Sequence, residues 1–169
     1  MKKGIVLMIF LLSASHICNS QTDEHLAKAL YLLDITKNTA FAENPGDAYT
    51  ITVIGSSPVF NMLQRHTAHM HILGLPVKLK QIDDLTLLKS SQMVYLSENK
   101  SDILKALLKQ TSGQPVVIVA EEAGLHKAGA AFSFVLSDNN KWQVDVNEAS
   151  LAERRIQLSK NLNEIIHQE

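Results

Sequence analysis

The 169-residue chain contains a single cysteine, Cys18. A chain without a second cysteine cannot form an internal disulfide, and a zinc site built on several thiolates is excluded as well. If residues 1–20 are removed, the rest of the chain contains no cysteine at all. That remainder cannot use a thiolate nucleophile, and its stability has to come from packing.

Clustered positive charge is also scarce. Residues 1–20 hold two of the 16 Lys and Arg residues and none of the 17 Asp and Glu residues, so 14 basic and 17 acidic residues remain after them. The only basic doublet in that remainder is Arg154-Arg155, within a segment of mixed charge. Nucleic-acid-binding proteins carry a clustered basic surface, so the composition argues against a nucleic-acid partner.

Long apolar runs are missing except for residues 5–12. That run is too short to span a bilayer, which needs about 20 apolar residues. Lys2 and Lys3 precede it, and small and polar residues follow it up to Ser20, which is the layout of a secretory signal peptide. We therefore expect residues 1–20 to be a signal peptide cleaved near Ser20. The mature chain is expected to be a periplasmic protein that is not itself transmembrane.

Cys18 offers an alternative to signal cleavage, because a cysteine after an apolar segment can be the lipid-modified first residue of a bacterial lipoprotein. Lipoprotein signals carry small residues before that cysteine, whereas His16 and Ile17 precede it here. A cleaved signal peptide is therefore the preferred interpretation. Mass spectrometry of the mature N-terminus distinguishes the two.

The remaining chain reads as one domain of alternating strands and helices. Removing residues 1–20 from the 169 leaves 149, a length that suits a single domain with its own core. The uninterrupted apolar run 115–120 is typical of a strand in the middle of a parallel sheet, covered on both faces. The other predicted strands are 49–54, 75–82 and 92–96, and the predicted helices are 23–36, 58–70 and 101–110.

The last third departs from this alternation. Two strand-like runs, 131–136 and 141–146, are separated by four polar residues, which predicts an antiparallel hairpin. The segment from Glu148 to about His167 places leucines along one helical face, which predicts a closing amphipathic helix. The expected fold of residues 21–169 is a three-layer, Rossmann-like α/β domain whose sheet is mainly parallel.

A turn between the first predicted strand and helix is the one candidate ligand-binding site. Gly55, Ser56 and Ser57 precede Pro58, which suits the first position of a helix, and Ser57 can cap that helix. Backbone N–H groups at such a turn can bind an anion. The turn lacks the G-x-G-x-x-G spacing and the lysine of a P-loop, so a purely structural turn is the simpler interpretation.

His66, His69 and His71 are candidate metal ligands, since a cationic metal needs at least two converging imidazoles. On a continuous helix His66 and His69 share a face, whereas His71 lies well round from both. A solvated helix end explains the three histidines more simply. No metal site and no cofactor are predicted.

Ser–His–acid catalysis can be assembled on paper from Ser57, His126 and Glu121, but no G-x-S-x-G motif places a serine on a strained turn. Glu121 and Glu122 follow the central strand, at the edge where α/β folds often place functional groups. Solvated loop carboxylates are the simpler interpretation. No catalytic residue is predicted, and Trp142 is interpreted as a packing anchor unless it proves exposed.

The order of these pieces resembles the YfiR-like family of periplasmic regulatory proteins, over about residues 26–167. The strand 115–120 follows a Gly-x-Pro, a closing strand ends on Val146-Asn147, and a helical segment follows. Upstream, Val53-Ile54-Gly55 with Pro58 resembles the family's first strand and turn, and Leu75-Pro76-Val77 resembles its second strand. Further along, the matching residues are Gly129 before a strand reaching Phe134, and Ala149, Leu158-Ser159 and Leu162 in the last segment.

This resemblance implies a Rossmann-like sheet without a nucleotide and a regulatory role in cyclic-di-GMP signalling. Relatives of this kind are exported repressors that hold a membrane-bound diguanylate cyclase inactive through its periplasmic part. The expected function is therefore non-enzymatic binding to a membrane-anchored receptor, a diguanylate cyclase or a sensor kinase, with a homodimer possible. The alternative is a periplasmic small-ligand-binding protein or hydrolase that uses the sheet edge near Ser56 and Glu121.

Two departures from the family pattern concern the partner surface and stability. Family members usually carry a Trp-Pro pair ahead of the first strand, whereas this chain reads Thr39-Ala40-Phe41 there. The cysteines that form disulfides in some relatives are absent as well. The partner surface is therefore left open by the resemblance.

Overall fold

The computed structural model describes residues 15–42, 46–159, 161, 162 and 166. The features that predict a signal peptide, Lys2, Lys3 and the apolar run 5–12, lie outside these residues. None of the helices in the described part has the length and apolar character needed to cross a membrane.

The helices occupy most of the predicted positions but differ in their ends. The first begins eight residues before the predicted start at Asp23 and so runs through Ser20, and the second ends three residues before the predicted end at Met70. The helices are α1 (Ser15–Lys37), α2 (Val59–Thr67), α3 (Leu104–Gln110) and α4 (Glu148–Glu153), with 3₁₀ turns at Leu85–Leu87 and Glu98–Ile103.

Seven strands form one sheet in the order β3-β4-β2-β5-β6-β7-β8. The five strands from β4 to β7 in that order are parallel to their neighbours, and β3 and β8 are antiparallel at the two edges. The predicted α/β class with a mainly parallel sheet is thereby confirmed. The strands are β1 (Thr39–Phe41), β2 (Tyr49–Ile54), β3 (His71–Ile72), β4 (Leu75–Ile82), β5 (Met93–Leu96), β6 (Val117–Ala120), β7 (Phe132–Leu136), β8 (Trp142–Val146) and β9 (Ile156–Leu158).

The central strands β2, β5 and β6 are buried along their whole length. Successive side chains of a strand point to opposite faces. In β6, Val117 and Val119 therefore join the core packed under α1 and α2, while Ile118 and Ala120 join the core packed under α3. The apolar run 115–120 had predicted this burial on both faces.

The two strand-like runs of the last third pair antiparallel as β7 and β8, with Phe132 opposite Val146 and Leu136 opposite Trp142. The polar connection closes with the Ser137 N–H donating to the Lys141 carbonyl at 3.0 Å. Asn140 takes a left-handed conformation in this connection, with φ 58°. Asn is one of the few residues that tolerate this backbone region at low cost.

The predicted closing helix from Glu148 to His167 was wrong. Helix α4 ends at Glu153, and Arg155 then turns the chain with φ 56°. Residues 156–158 continue as β9, which pairs antiparallel with β1 so that Thr39 lies opposite Leu158. Strand β1 is likewise an element that the sequence pattern does not predict.

The buried guanidinium of Arg154 helps to explain why the helix stops. Its Nη1 donates to the carbonyls of Thr111 at 3.0 Å and Gln114 at 3.4 Å, which anchors the turn to the end of α3. Desolvation lowers the pKa of this guanidinium from its ordinary value. Beyond the turn, the unpaired backbone groups of β1 offer a partner that β9 satisfies.

Candidate functional site

The order of the parallel strands marks one place on the sheet edge. In chain order the five parallel strands are β2, β4, β5, β6 and β7, and they lie side by side in the order second, first, third, fourth, fifth. Strand β4, the next parallel strand in the chain, lies on one side of β2. Strand β5 lies on the other side of β2, and β6 and β7 follow on that side. Ligands of open α/β sheets bind at such a topological switch point, outside the carboxyl ends of the strands.

A groove of about 410 Å³ lies at this switch point. Its walls come from the segments that follow β2, β5 and β6, and from the side of α1. Its volume falls within the range of small-molecule sites, roughly 300–1,000 Å³. The residues lining this switch-point groove are His25, Ser56, Ser57, Pro58, Glu98, Asn99 and Glu121.

The turn after β2 forms one wall of the groove, and this turn consists of the three predicted ligand-binding residues, Gly55, Ser56 and Ser57. Gly55 has φ 93°, donates its N–H to the Ile82 carbonyl at 2.8 Å and accepts Gln81 Nε2 at 2.8 Å. Ser56 and Ser57 then line the groove. The Ser57 hydroxyl accepts the Val59 N–H at 3.3 Å, so it satisfies one of the free donors at the start of α2.

Replacing Gly55 by Ala is expected to lower the free energy of unfolding by about 2–3 kcal/mol, from left-handed backbone strain and from crowding. An added Cβ would lie 2.6 Å from both Asn99 Oδ1 and Lys100 Cγ, so the wall after β5 would have to move. Chemical denaturation of the purified protein measures the change.

Gly74→Ala is the matched control for this substitution. Gly74 also has a positive φ, 78°, but an added Cβ there meets nothing within 4 Å. It should therefore cost only the backbone strain, about 1 kcal/mol. Equal losses in the two variants would show that the close approach of the two loops at Gly55 contributes nothing.

The carboxylate of Glu121 is the charged group at the base of the groove. Its side chain is only 8% exposed. Its Oε1 accepts the Ser57 hydroxyl at 3.4 Å, and its Oε2 accepts the Glu98 N–H at 3.2 Å. Of the predicted turn, the Ser57 hydroxyl is the group that contacts this carboxylate among the described residues. Binding of an external anion by Gly55, Ser56 and Ser57 stays a prediction.

Lys28 of α1 compensates the charge of Glu121. Its Nζ lies 3.4 Å from Glu121 Oε1 and 2.7 Å from Glu24 Oε1, and its side chain is 6% exposed. The same ammonium lies 4.3 Å from the centroid of the Trp142 ring, which is within cation–π range. Trp142 is half-buried and packs edge-on against Phe134, as the packing-anchor interpretation required.

Two buried polar atoms beside the groove, Nδ1 of His25 and Oγ of Ser97, have no hydrogen-bond partner among the described residues. The buried hydroxyl of Tyr95 interacts with Ser57 and Glu121. Burial, together with the charge of Glu121, raises the pKa of the Tyr95 hydroxyl well above its ordinary value, so the hydroxyl stays protonated. An unpaired buried polar group costs about 1–3 kcal/mol, and native structures keep few of them.

The Ser–His–acid arrangement considered from the sequence is only partly assembled. Ser57 and Glu121 meet, but His126 contacts Ser133 Oγ at 2.8 Å and Asp145 Oδ2 at 3.5 Å. Both of these contacts use Nδ1 of the imidazole. A catalytic triad needs the serine and the acid on opposite ring nitrogens, so the His126 cluster does not have this geometry.

The three histidines considered as metal ligands are exposed and lie on different elements. His66 is in the last turn of α2, His69 follows the helix, and His71 is in β3. Within the part of the chain that the structure describes, no three His, Cys, Asp or Glu side chains converge on one point.

The sequence pattern indicates the turn and Glu121, whereas it does not indicate Lys28, Tyr95 or Glu98. Glu98 follows the predicted third strand, so the strand order, had it been known, would have placed it at the switch point. Lys28 and Tyr95 carry no local signal. One is a lysine within a predicted helix, and the other is an aromatic residue in an apolar strand.

A comparison with known protein families identifies the family of this chain. The family model described as YfiR/HmsC-like matches residues 25–165. The chain belongs to the YfiR-like family. The matched segment includes every strand of both sheets and all of the switch-point groove. No curated protein matches this YfiR-like chain at a significant level.

The YfiR-like family consists of periplasmic regulators, and its members act in cyclic-di-GMP signalling rather than in catalysis. The matched residues begin within α1, at His25, just after the expected signal peptide. The sequence resemblance had covered about residues 26–167, and it is confirmed by this match.

Proposed function

We propose that this YfiR-like protein is an exported, non-enzymatic regulator that restrains a membrane-bound diguanylate cyclase or sensor kinase by binding its periplasmic part. The single observation that carries the proposal is the family match, which extends over 141 of the 169 residues, from 25 to 165. A match of this length includes the entire sheet, so the likeness is not confined to one motif.

The contacts at the sheet edge support a binding role over hydrolysis. Activation of a serine nucleophile requires a base within hydrogen-bond reach. The Ser57 hydroxyl faces the carboxylate of Glu121, which is itself paired with the ammonium of Lys28. The buried imidazole of His126 is directed at Ser133 and Asp145 instead. This geometry favours a regulatory protein over the hydrolase alternative.

The scaffold we infer for this role is the three-layer, Rossmann-like sandwich expected from the sequence, with α1 and α2 on one face of the sheet and α3 on the other. Restraint of an enzyme then requires tighter binding to its inactive state than to its active state. A protein that binds both states equally shifts no equilibrium.

Photo-crosslinking in cells tests the proposal. A photoreactive amino acid is placed at each large apolar side chain that is exposed among the described residues, Leu30, Leu73, Leu87 and Leu136. Substitution at an exposed site should leave folding intact. We expect at least one position to crosslink to an integral membrane diguanylate cyclase or sensor kinase, identified by mass spectrometry.

Deletion of the gene provides the matching functional measurement. If the partner is a diguanylate cyclase, loss of its restraint should raise cellular cyclic-di-GMP, and expression of the unmodified chain should lower it again. For a sensor kinase, autophosphorylation replaces the nucleotide as the readout. Unchanged signalling together with no membrane enzyme crosslinked at any of the four positions would contradict the proposed role.

A further inference from the structure

Strand β4 has one edge that is only partly covered. On that side β3 pairs with Leu75 and Pro76, and the Val77 N–H donates to the Met70 carbonyl at 3.0 Å. Among the described residues, no strand pairs with residues 78–82 there, although β2 pairs with the same residues on the other side. We call this side of residues 78–82 the open β4 edge.

The backbone groups that face the open β4 edge follow from strand geometry. Alternate residues of a strand direct their N–H and C=O groups to opposite sides. Val77 donates away from β2, whereas the Ile82 carbonyl accepts the Gly55 N–H at 2.8 Å and so faces β2. Leu79 and Gln81 share the direction of Val77, so their N–H and C=O groups face the open side. Such a row of groups is a template for another strand.

Positive charge lies along the same strand. Lys78 and Lys80 are two positions apart, so they share one face of the sheet, and both are exposed. Within the described ranges neither lysine has an ion pair, and the acids Asp83 and Asp84 follow only after the strand ends. An added strand with acidic side chains on that face would gain cross-strand ion pairs.

The opposite face of β4 is apolar. Val77 and Leu79 alternate with the lysines, are half-buried and pack against the core under α1 and α2. Side chains of an added strand would lie beside them on that face. The strand that complements β4 therefore alternates acidic residues, opposite Lys78 and Lys80, with apolar residues.

A second copy of this chain lacks that complementarity. An antiparallel pair of two open β4 edges, centred on Leu79 or on Lys80, places lysine opposite lysine. Like charges directly opposite each other destabilise a strand pair. Lysines on an edge strand are a known means of preventing self-association, and the same lysines favour an acidic partner.

From the open backbone groups, the unpaired lysines and the apolar face behind them, we propose that β4 binds an extended segment of the receptor's periplasmic part as an added strand. Acidic and apolar residues alternate in that segment. The inference rests on the proposed function for the identity of the partner. Main-chain hydrogen bonds to Leu79 and Gln81 supply affinity, and Lys78 and Lys80 supply selectivity.

Synthetic peptides test this chemistry on the purified mature chain without the receptor. The probe is a capped peptide of about eight residues that alternates glutamate and valine, a typical strand length. In an NMR titration we expect it to bind at least about fivefold more tightly than a lysine–valine peptide of the same length. Binding should also slow hydrogen exchange at the N–H groups of Leu79 and Gln81. Absence of binding, or equal binding of the two peptides, overturns the proposal.

Backbone methylation of the peptide distinguishes strand addition from simple charge attraction. Only alternate residues of an added strand hydrogen-bond to β4. N-methylation of every glutamate in one peptide, and of every valine in another, should therefore weaken one far more than the other. The sensitive set also reports whether the added strand is parallel or antiparallel to β4. Equal effects would show attraction without strand pairing and would contradict the proposal.

Charge reversal locates the peptide on the protein. Lys78→Glu combined with Lys80→Glu should weaken binding of the glutamate–valine peptide at least about tenfold, because attractive cross-strand pairs become repulsive. Lys105→Glu combined with Lys109→Glu is the matched control, because both lysines are exposed on α3 and the change in net charge is the same. Circular dichroism checks that both double variants fold. Equal losses of binding would show that net charge alone matters, and the proposal would fail.

In cells the same two double variants separate this inference from the proposed function. The Lys78 and Lys80 variant should lose crosslinking to the membrane enzyme, whereas the Lys105 and Lys109 variant should keep it. If both variants crosslink like the unmodified chain, the proposed function stands and β4 is not the docking site. Failure of the unmodified chain to crosslink would contradict the proposed function, and peptide binding would still decide whether the open β4 edge accepts an acidic strand.

Discussion

Lys28→Met is expected to lower the free energy of unfolding by about 3 kcal/mol, because breaking a buried ion pair leaves an uncompensated charge. The side chain of Lys28 is 6% exposed, and its ammonium contacts both Glu121 and Glu24. Without it, the buried carboxylate of Glu121 is left with neutral donors such as the Ser57 hydroxyl and the Glu98 N–H. Urea denaturation followed by circular dichroism measures the loss.

A double-mutant cycle tests the cause of that loss. Adding Glu121→Gln to Lys28→Met removes the stranded charge, so the double variant should recover at least about 1 kcal/mol of the stability lost. Lys37→Met is the matched control, because Lys37 pairs with Asp34 at 3.6 Å on the exposed side of the same helix. Exposed pairs contribute about 0–1 kcal/mol. An equally large loss at Lys37 would show that burial is not the reason.

Phe134→Ala is expected to lower the free energy of unfolding by about 3–5 kcal/mol, the usual cost of a large cavity in a core. Phe134 is fully buried in β7. Its ring centroid lies 6.4 Å from those of Tyr31, Tyr95 and Trp142, and so it joins α1, β5 and β8. Thermal and urea denaturation measure the change.

The fluorescence of Trp142 can detect the cavity that Phe134→Ala leaves, because the two rings are in contact. Trp142 is the only tryptophan of the chain, so a red shift of its emission in the folded variant would show that water reaches the aromatic cluster. Leu136→Ala is the matched control, because Leu136 lies in β7 like Phe134 but is 50% exposed. This substitution should lower the free energy of unfolding by less than about 1 kcal/mol. A loss at Phe134 no larger than that at Leu136 would contradict the central role of this ring.

The elements that the sequence predicted well are those whose signal is local. Strands β2, β4 and β6 were recognised from β-branched, alternating or uninterrupted apolar runs, and each is present within two residues of its predicted bounds. Side-chain pattern within a few residues is sufficient here, because it reports directly how many faces of the strand are covered.

The C-terminal segment shows where a local pattern fails. Leucines at helical spacing after Glu148 predicted a long helix, yet β9 forms because β1 lies beside it, with Thr39 opposite Leu158. A partner more than 100 positions away in the chain leaves no trace in the spacing of apolar residues. Tertiary pairing therefore overrode the helical pattern.

The candidate site, too, was predicted only where its signal is local. The turn Gly55–Ser57 was visible because glycine, serine and proline between a strand and a helix are a local signal. The contact of Glu121 with Ser57 and Lys28 was not visible, because it joins the segments after β2 and β6 to α1.

The amino-acid sequence alone determined that no thiol chemistry is open to residues 21–169 and that strands and helices alternate along most of the chain. Only the tertiary structure decided the order of the strands, and with it the switch point where Glu98, Glu121 and Tyr95 come together. The physical reason is that composition and periodicity describe how each segment is buried, whereas strand order depends on packing between segments that are distant in the chain.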